Sequence, residues 1–392
     1  MKVLMISWEY PPHMVGGLGQ HVYDLSRFLV KIGVKTHIIT PAVKNYPEYQ
    51  IHEGVHIHRV GSPAKEGDHF KTWIFSFNSE AILKSVNLNL QVGGFDVIHA
   101  HDWLVAYAGR SVSKIFTIPL VTTIHATEHG RNIGLHNRFS LEINEIEKNL
   151  ALEAERVICC SNYMENEIQN LFGVERDKIS IIPNGVDPEL FATLPDYPTL
   201  DISPHDKIVF FIGRLVPEKG IWQLISSFPQ VLASVPEAKL IIGGRGPQQP
   251  ELEKLAKKLD IKDKVCFTGF IREKERNYVY NQAKVAVFPS FYEPFGIVAL
   301  EAMATQTPVI VGDVGGLAEI VEDRVTGLKV DPSRDENLSN AIIEILTDGE
   351  LAEKLKTNAS QMVKSVYGWD TIAAATTEIY QEVIKYREEV IS

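Results

Sequence analysis

Cysteine is scarce in this sequence, with Cys159, Cys160 and Cys266 its whole complement. Three thiols, two of them adjacent, make neither a disulfide framework nor a metal knuckle. Long apolar runs are missing as well. None approaches the roughly 20 residues that span a bilayer, and the opening MKVLMISWEYPP has too few apolar residues before Glu9 for a signal h-region. Low-complexity tracts are absent, and so is any excess of positive charge: 39 Lys+Arg stand against 50 Asp+Glu, a formal net charge of −11. Residues 1–185 hold 17 basic against 19 acidic side chains and the rest 22 against 31. Neither part is built to neutralise nucleic-acid phosphates, and no basic membrane-facing stripe is visible. The expectation is a globular cytoplasmic protein, with no nucleic acid as partner and no integral membrane segment.

Two chemical signatures are also missing. Gly17-x-Gly19 is followed by Val22 where a dinucleotide fingerprint needs its third glycine, and the next strand ends IIT-Pro with no acidic residue for a ribose. Twelve of the thirteen histidines precede residue 185, yet no HExxH pair exists and they are scattered over several strands. A metal site is therefore not expected, and His52, His56 and His58 are expected to be exposed strand residues.

What is present is alternation. KVLMISW leads through a glycine-rich turn to LGQHVYDLSRFLVKIG, and THIIT, VHIHRV, DVIHAHD, LVTTIHA, RVICCS and ISIIPNG follow, several separated by helix-length stretches. Buried strands alternating with amphipathic helices predict a parallel sheet covered on both faces. The periodicity lapses over about residues 184–206, where Pro and Asp accumulate as in a linker. It then restarts with KIVFFIGR, AKLIIGGRG, VCFTGF, VAVFPS, PVIVGD and GLKVDP. A chain of 392 residues exceeds one usual core, so two doubly wound α/β domains are predicted, residues 1–185 and 186–368. A terminal helix over 369–392 would pack on a domain surface or reach back across the linker.

Ligands of open α/β sheets bind beyond the carboxyl ends of the strands, and the motifs fall there. MVGGLGQ follows the first strand and opens a helix, where Gly16 and Gly17 let backbone N–H groups approach a phosphate, or make a tight turn. In FFIGRLVPEKG, Arg214 at a strand end and Lys219 at the start of the next helix suit a diphosphate, the one through its fork and the other as a point charge. LIIGGRG and VGDVGG are further glycine-rich turns, together outlining a nucleotide-shaped crevice. In the first half, HAHDW and TIHATEHGR gather His, Asp and Glu at strand ends with Trp8, Tyr10 and Trp103 near in sequence. That mixture suits a sugar better than a metal, hydroxyls pairing with polar side chains and apolar sugar faces with rings.

SFYEPFGIVALE carries two carboxylates, Glu293 and Glu301. Pro294 suits a first helical position, so the helix is predicted to begin there with Glu293 at or beside its N-cap. Eight residues of helix set the two glutamates roughly 10–12 Å apart. Retaining hydrolysis needs about 5–5.5 Å and inverting hydrolysis about 6.5–9.5 Å. The spacing instead suits a grip on two rings of one long ligand, with the N–H groups around Phe295 and Gly296 meeting a diphosphate between them.

EPFGIVALE, the GR…EKG pair and IPNGVD together carry a resemblance across essentially the whole chain. The sequence resembles the retaining GT-B glycosyltransferases of the large family that includes glycogen synthase-like and sucrose-phosphate synthase-like members; SWEYPPHMVGGLGQHV, HAHDW and TIHATEHGRN are most similar to bacterial and archaeal glycogen-synthase-like members. The resemblance implies two Rossmann-like domains facing each other across a cleft, and transfer of a glycosyl group, glucosyl above all, from ADP- or UDP-sugar with retention. The nucleotide sugar is then a substrate, with no cofactor and no metal, and the acceptor an α-glucan or small sugar. Arg214 and Lys219 would bind the diphosphate, Glu301 the ribose and Glu293 the donor sugar. Gly16, Gly17, Phe295, Gly296 and Ile297 would lie along the donor, and backbone around Ile271 would meet the base. His125 would contact the transferred sugar, and Glu9, Tyr10, Asp102 and Trp103 would face the acceptor. One departure is Met14, where many starch and glycogen synthases carry lysine two residues before the first glycine of the turn. A sugar-phosphate acceptor, a nucleotide-sugar epimerase, a nucleotide-linked oxidoreductase and a non-catalytic sensor are the rival readings.

Overall fold

The computed structural model describes residues 1–61, 69–191, 202–203 and 205–391. Contacts divide the chain into two units, Met1–Asn184 with Trp369–Ser392, and Gly185–Gly368. Much of the expected linker over 184–206 lies outside the described residues. Each unit is a parallel-sheet α/β domain.

The first unit holds β1 (Lys2–Ser7), β2 (Lys35–Pro41), β3 (Tyr49–His52), β4 (Val55–Val60), β5 (Val97–His101), β6 (Leu120–Ile124), β7 (Arg156–Cys159) and β8 (Ile179–Ile181). Their spatial order is β3-β4-β2-β1-β5-β6-β7-β8. Every pairing is parallel except β3 with β4, a short exposed edge hairpin that the strand pattern did not reveal. Strand β1 explains the layering. Its residues alternate between faces, so Leu4 and Ile6 join one apolar cluster with Ile74, Phe77 and Val112, while Val3 and Met5 join another with Val22, Leu25 and Phe28. Both faces are covered, so β1, β2 and β5 are buried almost throughout, polar residues such as His99 and His101 included. The C-terminal helix Trp369–Ile391 completes the second cluster with Trp369, Ile372 and Tyr380.

The second unit holds β9 (Lys207–Ile212), β10 (Ala238–Gly243), β11 (Val265–Gly269), β12 (Ala283–Phe288), β13 (Val309–Gly312) and β14 (Leu328–Val330), in the order β11-β10-β9-β12-β13-β14, all parallel. Its core is aliphatic and aromatic: Val209, Phe210, Phe228 and Tyr280 are fully buried, with Phe210 edge-on to Tyr280 at 5.0 Å. Burying each such side chain is worth about 1.5–3 kcal/mol in transfer free energy. Among the described residues no helix is long and apolar enough to cross a membrane.

The strand order reverses once in each sheet. In the first sheet succession runs outward from β1 through β2 to β4 and then resumes at β5 on the other side. In the second it runs β9, β10, β11 and resumes at β12. The loops beyond the carboxyl ends of β1 and β5, and of β9 and β12, are thus the two topological switch points, where ligands of such sheets bind.

Two local expectations fail. The helix of EPFGIVALE begins at Ile297, not Pro294. Gly296 caps it at φ +112, a conformation no helical residue adopts, and Glu293 is pinned in loop by its carbonyl, which accepts from the Gly316 N–H at 2.8 Å. The glutamate spacing derived from eight helical residues therefore does not apply, since only Ile297 to Glu301 is helix. Second, His58 is buried rather than exposed, because β4 is flanked by β2 and β3 and its imidazole packs onto His37, with Nδ1 of His37 and Nε2 of His58 3.2 Å apart.

Candidate functional site

The loops after β9 and β12 in the second unit are stitched together by the Phe291 N–H donating to the Glu218 carbonyl at 2.8 Å. That stitch places Lys219, from the turn Pro217–Lys219, against Glu293, with Nζ donating to Oε2 at 2.6 Å. Their side chains are 18% and 13% exposed, so the pair is mostly covered but still reaches the surface. Arg214 lies nearer solvent, 47% exposed, with its guanidinium 3.4 Å from Glu218. Opposite Glu293 stands Gly315, at φ +52, where a Cβ would meet the Glu293 carbonyl oxygen at 2.2 Å. Only glycine lets the helix Gly315–Ile320 approach the loop this closely.

Glu301 lies one turn inside the helix Ile297–Ala304 and is buried. Its carboxylate bridges Arg276 at 2.8 Å and accepts from the Tyr280 hydroxyl at 3.3 Å. Burial pushes its carboxyl up and Arg276 pulls it down. Arg276 and Tyr280 are one turn apart on the helix Glu273–Gln282, and sequence reading missed both. Their i,i+4 spacing on one helix face was the available signal. Phe295 is buried edge-on to Tyr367, 6.1 Å away, and Ile271 is buried with its Cδ1 over Gly243.

In the first unit the switch-point loops carry Glu9 and Asp102. Glu9 turns its Oε2 onto the glycine-rich turn, accepting from the Val15 and Gly16 N–H groups at 2.8 and 2.9 Å. A carboxylate thus already meets the amides expected to bind a phosphate, next to Gly17, the first residue of the helix Gly17–Lys31. Met14 packs on the same turn, its Cγ 3.2 Å from where a Gly19 Cβ would stand.

Asp102, just after β5, has φ +60 and ψ 178, a strained backbone for a non-glycine residue that the surrounding loops must enforce. Its Oδ1 accepts from the His125 N–H at 2.7 Å. Burial raises its carboxyl to about 6, against Arg131 and the N–H groups of His125 and Ala126. Arg131 belongs to the short helix Glu128–Asn132, whose N-cap Thr127 accepts from the Gly130 N–H. Arg131 also reaches Glu147 at 3.2 Å, whose two oxygens each accept from the Glu128 N–H at 3.0 Å. Burial drives the Glu147 carboxyl up to about 8.

His125 follows β6 and is held in a histidine cluster, its Nε2 3.3 Å from Nδ1 of His101. Burial, and then Arg131, push it down to about 3. His99 is satisfied at both nitrogens, by the Tyr380 and Thr123 hydroxyls at 2.7 Å each. The aromatics are less available than their sequence positions suggested. Tyr10 is 1% exposed with its hydroxyl 3.3 Å from that of Ser26, and Trp103 is 9% exposed, edge-on to Phe139. Trp8 is built into the core among Phe70, Trp73 and Phe77. They are packing side chains first, because the loops that carry them fold back over the sheet.

Residues 198–362 match the family model described as glycosyl transferases group 1, and residues 15–190 match that of glycosyltransferase family 4. The chain is 37% identical to an uncharacterized glycosyltransferase of Methanocaldococcus jannaschii, over 97% of this chain and 98% of the other. It is 33% identical to a glycogen synthase of Mycobacterium tuberculosis, over 97% and 94%. Among solved structures, sucrose-phosphate synthase from Thermosynechococcus elongatus superposes with a TM-score of 0.84 at 26% identity, covering 98% of this chain and 99% of that one.

Proposed function

The chain belongs to the group 1 glycosyl transferases, with the GT-B fold and a nucleotide sugar as donor, and on that premise we propose that it transfers a glucosyl group from ADP- or UDP-glucose to a carbohydrate acceptor with retention of configuration. The observation that carries the reading is the Lys219–Glu293 pair at the switch point of the second sheet. A largely covered cation oriented by its own carboxylate, with Arg214 beside the same loop, is what a diphosphate leaving group needs. Glu293, held by Lys219, meets the donor sugar. Glu301, fixed by Arg276 and Tyr280, accepts from the ribose hydroxyls.

In this mechanism the bond from the anomeric carbon to the diphosphate oxygen breaks as the bond to the acceptor oxygen forms on the same face. The acceptor proton passes to the departing diphosphate oxygen, whose growing charge Lys219 and Arg214 stabilise. No enzyme nucleophile takes part, and Glu293 and Glu301 are both engaged by cations. In the first unit, His125 meets the transferred sugar and Asp102 and Glu9 serve the acceptor hydroxyls; Tyr10 and Trp103 shape those loops from beneath. A small sugar or sugar phosphate suits the departure at Met14 better than a glucan. The three free thiols suit a reducing cytoplasm.

The test is nucleoside-diphosphate release from ADP-, UDP- and GDP-glucose, each with glycogen, maltose or glucose 1-phosphate. Release with one donor and only with acceptor present is expected, with the α-anomer in the product. Silence in every combination defeats the proposal, and an epimerised sugar formed without acceptor replaces it with an isomerase on the same fold.

A further inference from the structure

The histidines that the sequence scatters over separate segments come together in the first unit. His21 lies on the helix Gly17–Lys31, His101 ends β5 and His125 follows β6. Among the described residues they are the one group of three side chains offering ligand atoms all within 4.8 Å of one another. His21 stands edge-on to His125 with ring centroids 4.7 Å apart, and His101 stacks on His125 at 5.6 Å. We propose that His21, His101 and His125 form a binding site for a divalent transition metal of borderline softness, zinc in the first place.

Hydrogen bonding supplies the first argument. Asn184 Oδ1 accepts from Nδ1 of His21 at 2.6 Å, which fixes the proton there and leaves Nε2 with its lone pair. That Nε2 is buried with no partner in the protein. Nε2 of His101 is likewise buried and unpartnered. Whichever tautomer His101 adopts, its link to His125 uses Nδ1 and leaves one buried nitrogen unpaired. A ligand on Nε2 of His21 removes that cost, and Nδ1 of His101 is the nitrogen of that ring turned to His125 and the cluster.

Geometry supplies the second. Zinc–imidazole bonds of about 2.0–2.1 Å at tetrahedral angles place ligand nitrogens roughly 3.3–3.4 Å apart. Nδ1 of His101 and Nε2 of His125 already stand 3.3 Å apart. The remaining separations, at most 4.8 Å, close by no more than about 1.5 Å of side-chain movement. Arg131 opposes a cation here, and the Asp102 carboxylate on the His125 N–H offsets it. Three neutral nitrogens leave a fourth position for a water or a substrate oxygen, and imidazole donors favour zinc, cobalt or nickel over magnesium or calcium.

The site stands independently of the proposed function. One consequence rests on that function: if His125 meets the transferred sugar, zinc and donor compete, and added zinc lowers nucleotide release in a way that excess donor relieves. Binding is read without substrate. Calorimetric titration of the full chain with ZnCl₂ is expected to show one site. Asn184→Ala, which removes the partner that sets the His21 tautomer, is expected to weaken it roughly 10–100-fold, and His21→Ala to weaken it further. His56→Ala, outside the cluster, should bind as the unaltered chain does. Equal affinity in His21→Ala and the unaltered chain overturns the site. Because a buried substitution can disturb folding, crystals of the unaltered chain soaked in zinc provide the second reading. An anomalous peak among the three rings upholds the proposal, and a peak elsewhere or none at all ends it.

Discussion

The candidate sites of the two units differ in what weighs most on their polar side chains. In the second, each charge of the candidate site has a counter-ion: Lys219 with Glu293, Arg276 with Glu301, Arg214 with Glu218. In the first, burial weakens charge instead, holding His21, His101 and His125 neutral and pushing Asp102 to about 6 and Glu147 to about 8. A pairing regime keeps full charges available for an anionic ligand, whereas a burial regime leaves neutral donors and acceptors suited to hydroxyls. The proposed division, diphosphate in one unit and sugar hydroxyls in the other, follows from that contrast.

Removing one partner from the paired regime breaks it most severely. Arg276→Ala leaves Glu301 buried beside Tyr280 without its cation, and about 3–5 kcal/mol of stability should go with it. Chemical denaturation measures that loss, and a change below about 1 kcal/mol would show that Glu301 is protonated and needs no cation. Lys219→Ala acts on the Lys219–Glu293 pair instead. Turnover should fall by about 10²–10³, as when a donor to a developing oxyanion is lost, with acceptor KM little changed. Unaltered turnover removes Lys219 from the leaving-group role.

Gly315→Ala is milder. The added Cβ would press on the Glu293 carbonyl and shift the loop that presents the pair. A displacement near 1 Å is worth about 100-fold in rate, and the left-handed backbone adds about 1–3 kcal/mol of strain. If Gly315→Ala matches the unaltered chain in turnover, the geometry of Glu293 does not matter to the reaction.

The same contrast decides what was legible. The paired regime showed in the sequence because its residues lie in short loops beside the strands that announce them: FFIGR and EKG, then PS and FYEPFG. The strands themselves were legible because parallel strands covered on both faces are rich in apolar residues. The helix start was misread because Pro294 is a good first residue, while Gly296, whose positive φ moves the start to Ile297, looks from sequence like any glycine. The imidazole cluster was illegible. Its three members come from segments 80 and 24 residues apart, and only the sheet order that sets β5 between β1 and β6 brings them together. Tyr10 and Trp103 were read for their ring chemistry, but burial is decided by how the loops fold back.

The burial regime can be probed by pH, where the expected effect is smallest and its sign is most telling. Glu147 faces Arg131 and lies near Glu128 and Asp102. Its carboxyl is raised from 4.5 to about 8, so the folded protein holds a proton that the unfolded chain gives up. Stability from this group is complete below about 4.5 and is lost as pH rises through about 8. Asp102, raised from 3.8 to about 6, contributes in the same direction but ends its titration lower. Between about 6 and about 8 Glu147 is thus the main carrier of the slope of the two, at most about 1.4 kcal/mol per pH unit. Glu147→Gln keeps an acceptor for the Glu128 N–H without the titrating proton, and should flatten denaturation midpoints over that window while leaving the Asp102 slope below it. If the variant keeps the full slope between about 6 and about 8, Glu147 is ionised in the folded protein, its charge held by Arg131. The first unit would then run on pairing, like the second.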